Sequence, residues 1–107
     1  MPDEIQSSQP QPVPGTEPPI VDNVAHNRYE LIVDHHKAFV AYERTLGTIR
    51  FIHTVVPKAL EGRGIGSRLA RHVLDKARAD GEKVIPQCPF IAAWLAKHHE
   101  YDDLLVR

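Results

Sequence analysis

The chain has 107 residues, room for one small domain. Its 13 Lys and Arg nearly cancel its 14 Asp and Glu, which excludes the one-sign field that draws nucleic acid or an anionic membrane. No apolar run approaches the roughly 18 residues of a membrane span, so neither partner is expected. Residues 1–22 hold six of the nine prolines among Gln, Ser and acidic residues, without an aromatic. Such a segment buries too little apolar surface to offset its ordering entropy, and it reads as a disordered proline-rich tail before a domain spanning 23–107. A polyproline-reading partner is the functional alternative for it. The start MPDEIQSSQP lacks the basic and apolar stretches of a secretory signal, and the lone Cys88 suits a reducing compartment. The expectation is a cytoplasmic protein.

Three strands open the domain. Asn27–Val33 alternates Tyr29, Leu31 and Val33 with Arg28 and Glu30. The turn Asp34-His35-His36-Lys37 leads into Ala38–Arg44, and Leu46-Gly47 into Thr48–Val55. β-Branched and aromatic residues at period two, broken by polar turns, predict an antiparallel meander. After Pro57 and a polar connector the period changes. Ile65, Leu69, Val73 and Ala77, widened by Ala70 and Leu74, form a helical stripe, with Gly81 placed to end it. Lys83–Gln87 reads as a short strand and Phe90–His99 as a second helix, in which Phe90, Ile91 and Trp94 mark a buried face. The predicted class is α/β, more narrowly α+β, with order β-β-β-α-β-α.

The stretch Val55–Ser67, VVPKALEGRGIGS, carries the most information. Glycines between a strand and a helix let backbone approach a ligand. The first helical amides lack internal partners and sit at the positive end of the dipole, which suits phosphate or pyrophosphate. Arg63 can add a charge-assisted contact from the same turn. A plain connector capping a helix is the alternative. A Walker loop is excluded, since Gly66 is followed by Ser67 with no lysine. A dinucleotide fingerprint is excluded too, because Leu69 or Ser67 stands where its third glycine belongs.

The remaining pattern, G-x-G-x-G after a meander, resembles the coenzyme A-binding core of the GNAT acetyltransferase superfamily over residues 48–74. Arg63-Gly64-Ile65-Gly66 fits the latter part of its Gln/Arg-x-x-Gly-x-Gly/Ala signature, and Glu61 stands where Gln or Arg is usual. Residues 27–105 resemble the short YjdJ-type acetyltransferase-like branch. The similarity lies in His53-Thr54, Leu60-Glu61-Gly62-Arg63-Gly64, Pro86-Gln87-Cys88-Pro89-Phe90 and Lys97-His98-His99-Glu100-Tyr101, with His99 where proline is common. The resemblance implies a GNAT-like mixed, mainly antiparallel sheet with two helices, and acetyl-coenzyme A or coenzyme A in a cleft where two strands splay. Val55 and Val56 would then meet the pantetheine arm. Glu61, Gly62, Arg63, Gly64, Ile65, Gly66 and Ser67 would hold the pyrophosphate.

Three residues are candidates for chemistry. Cys88, before a helix start, is a candidate nucleophile or a buried apolar residue. His53 is a candidate base or a structural histidine, sharing by alternation the face of Ile49, Phe51 and Val55. Tyr101 is a candidate acid for the coenzyme thiolate or an anchor for the terminus. The pairs His35/His36 and His98/His99 read as solvated turn residues without a metal-ligand set, and Arg63, Arg68 and Arg71 as phosphate support with a solvated helix face.

Three functions follow. The first is transfer of an acetyl group from a coenzyme A thioester to an amine of an unidentified acceptor. The second is a non-catalytic coenzyme A or acyl-coenzyme A binding module. The third is a phosphate-binding adaptor with a partner-recruiting tail. Monomer and homodimer are both compatible with the chain.

Overall fold

The computed structural model describes residues 18–106; residues 1–17, most of the expected tail, fall outside it. Strands β1 (Val21–Asn23), β2 (Arg28–Val33), β3 (His36–Thr45), β4 (Thr48–Val55) and β5 (Lys83–Pro86) form one sheet in chain order. The first four run antiparallel, whereas β5 joins β4 in parallel. A parallel neighbour demands a crossover, and helix α1 (Ile65–Ala79) supplies it. A second helix, α2 (Pro89–Leu95), and a 3₁₀ segment over His99–Leu104 complete the chain. The mixed, mainly antiparallel α/β sheet of the sequence reading is therefore present, with one strand more at its start.

That extra strand lies partly within the segment read as tail. β1 is three residues long, too short to carry an alternating pattern, and long-range bonds hold it. Val21 and Asn23 pair with Glu30 and Arg28, and the Tyr42 hydroxyl donates to Asp22. The β2–β3 turn is also tighter than expected. Asp34 and His35 both take positive φ, 50° and 66°, as a two-residue hairpin of the primed type requires. His36 and Lys37 consequently belong to β3.

One face of the sheet carries the core. Tyr29, Leu31, Val40, Tyr42, Ile49 and Phe51 pack there beneath the α1 stripe of Leu69, Ala70, Val73, Leu74 and Ala77. α1 rests on β2, β3 and β5, and α2 on β4 and β5, so both helices cover this same face. α1 closes as expected, with Gly81 N–H bonded to the Arg78 carbonyl and Glu82 N–H to that of Ala77. α2 stops at Leu95, four residues short of its predicted end. The His98 ring folds back there, stacking on Trp94 at 3.5 Å between centroids while Nδ1 meets the Trp94 carbonyl at 2.7 Å. His98 is thus half-buried and stacked, not a solvated turn residue.

The register of β4 contains a break that matters for the site. Ala41 pairs with His53 and Tyr42 with Phe51, leaving Ile52 as an extra, bulged residue. A bulge resets the alternation. His53 and Val55 therefore leave the face of Ile49 and Phe51 and join Ala41 and Phe39 on the opposite one; His53 lies edge-on to Phe39 at 6.1 Å. The sequence reading, which kept strict alternation, placed both on the wrong face.

A polar cluster ties the sheet edge together. Arg44 bonds Glu82 at 2.8 Å and the Tyr29 hydroxyl at 3.3 Å, beside the Tyr42–Asp22 bond. Burial, reinforced by Asp22, pushes the Tyr42 hydroxyl up to about 12 from 10. A raised folded value means the neutral phenol stabilises the fold below pH 10, and that contribution is lost as pH climbs from 10 to about 12. Tyr42→Phe should therefore cost about 1 kcal/mol at pH 8. Its urea midpoint should fall less steeply than the wild type's between pH 10 and 12; parallel pH profiles would refute the assignment. No helix among the described residues is long and apolar enough to cross a membrane.

Candidate functional site

The connector from β4 to α1 is shaped by one apolar anchor and two glycines. Leu60, fully buried within a 3₁₀ turn over Lys58–Leu60, pins its middle to the core. Gly62 and Gly64 then adopt φ of 81° and 74°, a left-handed conformation that costs other residues about 1–2 kcal/mol. Open space surrounds both where a Cβ would stand. The turn delivers α1 with no side-chain cap at Gly64 and no acidic residue in the first turn. The amides of Ile65, Gly66 and Ser67 consequently have no helical partner and carry the positive end of the dipole of a 15-residue helix.

These groups line a pocket of about 360 Å³ with Val56, Leu60, Glu61, Gly62, Gly64, Ile65, Gly66, Ser67, Phe90 and Trp94. All the predicted donor-site residues except Val55 and Arg63 are among them. Leu60, Phe90 and Trp94 were not read as site residues. Phe90 closes over the turn, its ring lying 2.7 Å from where a Gly66 Cβ would fall, so a larger residue at 66 would have to push this half-exposed ring aside. Trp94 is buried, as its helix face suggested, yet it also lines the pocket and donates from Nε1 to the Ser67 Oγ at 2.7 Å. No local pattern announces a contact spanning 27 residues.

The basic side chains do not gather at the turn. Arg68 reaches the Pro18 carbonyl on the β1 side. Arg71 lies over Trp94 at 5.2 Å and meets the Tyr101 hydroxyl at 3.3 Å. Arg63 pairs with Asp34 at 2.7 Å, both half-exposed or more. The hydrogen bond and charge of Arg63 hold the Asp34 carboxyl below its usual range. Such an exposed pair is weak, so an anion in the turn can compete for the guanidinium.

Next to this pocket the sheet opens. β4 and β5 pair only as far as Phe51 and Pro86, after which the Cys88 N–H takes the Phe51 carbonyl at 2.8 Å. Residues Ile52–Val55 run on without a β5 partner. Cys88 sits at the start of α2, directly before Pro89, and is 2% exposed. Its Sγ lies 3.1 Å from the Thr54 Oγ1. Thr54 belongs to the His53-Thr54 motif, and no local pattern marks it for a role. The thiol faces the core side of β4, whereas exposed His53 stands on the opposite face. Tyr101 does not line the pocket, although its ring lies 5.7 Å from that of Trp94. It is buried, its hydroxyl donates to Asp75 at 2.6 Å, and burial followed by that bond raises its pKa. That bond ties the carboxyl-terminal segment to α1.

The fold and site define a small α/β domain whose strand–glycine turn–helix unit presents an uncapped helix start beside a splayed strand pair. The family model for GCN5-related N-acetyl-transferases matches residues 28–104. The solution structure of a GCN5-like candidate N-acetyltransferase from Staphylococcus aureus is similar at a TM-score of 0.62 and 29% identity, over 75% of this chain and 81% of that one. The chain belongs to the GCN5-related N-acetyltransferase family.

Proposed function

We propose that this protein binds acetyl-coenzyme A in the glycine-turn pocket and passes its acetyl group to an amine of an acceptor. The observation that carries the reading is the pocket at the uncapped start of α1, walled by Gly62, Gly64 and Gly66 and continuous with the Phe90 and Trp94 rings. Its residues fit a pyrophosphate: backbone approach is open at two glycines, and three amides and a hydroxyl face an acceptor-only ligand. The volume lies within the range of small-molecule sites.

Acetyl-coenzyme A would bring an activated thioester. The chain's own part is to hold the diphosphate on Gly64–Ser67, to offer the unpaired stretch of β4 to the pantetheine arm, and to present Thr54 and Cys88 at the strand opening. Thr54 is placed to orient the Cys88 thiol or to donate to it once ionised. His53, exposed on the other face, is in reach of solvent and is the candidate base for an incoming ammonium. We place the protein in the cytoplasm, where its donor is made and consumed.

Calorimetric titration with acetyl-coenzyme A, coenzyme A and ADP in parallel tests the reading. Tighter binding of both coenzymes than of ADP supports it, and no coenzyme binding up to millimolar concentration overturns it. A second reading, a module that holds the thioester without turnover, is favoured by the burial of Cys88 and the commitment of Tyr101 to Asp75. Acetyl transfer by the wild type separates the two, and Cys88→Ser then tests the thiol. Under the nucleophile reading this variant keeps coenzyme affinity within about twofold and loses at least about a hundredfold in acetyl transfer. Unchanged transfer would remove Cys88 from the chemistry.

A further inference from the structure

The Trp94–Ser67 contact does more than pack α2 against α1. An indole Nε1–H is donor only, so in this bond Ser67 is the acceptor without ambiguity. The hydroxyl has one proton, and among the described residues no acceptor takes it. Ser67 is the third residue of α1 and lines the pocket with its first amides.

Trp94 itself is held on several sides. It is 7% exposed, its ring stacks on His98 within 6° of parallel, and the Arg71 guanidinium lies above it at 5.2 Å. The Nε1–H direction is therefore set by packing and does not follow the ligand.

We propose that Trp94 is a positioning residue that orients the Ser67 hydroxyl to donate its proton to a diphosphate oxygen in the glycine-turn pocket. This rests on the coenzyme reading above and adds to it a polarity. A free serine can donate or accept, and so tolerates ligand hydroxyl and amine groups as readily as phosphate. With the indole occupying one of its two lone pairs, the hydroxyl is turned so that its proton points away from Trp94 and is held ready for an acceptor. The chemical class favoured is an ionised phosphodiester or diphosphate, whether carried by coenzyme A or by ADP.

The test combines two variants with the protein's single tryptophan. Calorimetric titration with coenzyme A and ADP is run on wild type, Ser67→Ala, Trp94→Phe and the double variant. Ser67→Ala should weaken both ligands by about tenfold, the scale of one hydrogen bond to a charged group. Trp94→Phe should lose a clear part of that factor. In the Ser67→Ala background the same change should lose nothing more. Independent, multiplying losses would overturn the proposal, because packing alone would then explain Trp94.

Should Trp94→Phe not fold, the indole N–H resonance of the intact ring decides. It should shift on titration of the wild type with ADP and stay still in Ser67→Ala; equal shifts in both would overturn the proposal. A wild type that binds neither ligand would instead bring down the coenzyme reading itself.

Discussion

Gly64→Ala should weaken coenzyme binding by about tenfold or more while leaving a folded protein. Gly64 sits at φ 74° with nothing within 4 Å of its missing Cβ, so the cost is conformational and not steric. A left-handed alanine costs about 1–2 kcal/mol. In a partly exposed connector the chain can shed much of that cost by relaxing to another conformation. Relaxation turns the amides of Ile65–Ser67 away from the pocket, and a loss of about 1.4 kcal/mol there is a factor of ten in affinity. Thermal melting with and without coenzyme A measures both parts. The expected result is a modest fall in the apo midpoint and a much smaller ligand-induced rise. A variant that melts lower yet gains the full rise would show that the glycine serves the fold alone.

The second large effect is expected at Phe51. This ring is fully buried on the core face of β4 and pairs across the sheet with Tyr42 and Pro86. Its carbonyl also fixes the Cys88 amide, so it marks the point where β4 and β5 part. Phe→Ala at such a site costs about 3–5 kcal/mol, and about 4–8 °C of midpoint accompanies each kcal/mol in a domain this small. Phe51→Ala should therefore melt at least about 12 °C lower and, in a domain of marginal stability, approach global unfolding at room temperature. A drop of only a few degrees would mean that the core refills the space left by the ring. Phe51→Leu, which keeps most of the apolar volume, should recover much of the loss.

Both effects originate in features of different range, and that difference governs what could be read in advance. The alternation of Tyr29, Leu31 and Val33 announces β2, and Thr48–Val55 was delimited correctly because its pattern lies within eight residues and two turns bound it. The α1 stripe from Ile65 to Ala77 is likewise a local period, and its glycine ending follows from one residue. The glycine turn before α1 was legible for the same reason. Glycine at positive φ and unpaired amides at a helix start are consequences of a few consecutive residues.

Other features depend on residues distant in the chain. The bulge at Ile52 arises from the register between β3 and β4, and it moves His53 and Val55 to the face opposite the one that strict alternation predicts. β1 exists because Glu30, Arg28 and Tyr42 offer partners to Val21–Asn23, whose own three residues carry no strand pattern. α2 ends early because His98 finds the Trp94 ring. Tyr101 is committed to Asp75 across 26 residues, and Trp94 to Ser67 across 27.

The sequence by itself determined the class of fold, the strand–glycine turn–helix unit and the unpaired amides at the start of its helix, since propensity, period and backbone freedom act over a turn or a strand. Only the tertiary structure decided which side chains meet at that unit. Phe90 covers Gly66, Trp94 donates to Ser67, Thr54 touches Cys88, and Tyr101 bonds Asp75 beside the Trp94 ring. Those contacts form when α2 packs against α1 and β4, and a buried hydrogen bond or ring contact is set by which partner the whole core brings within reach.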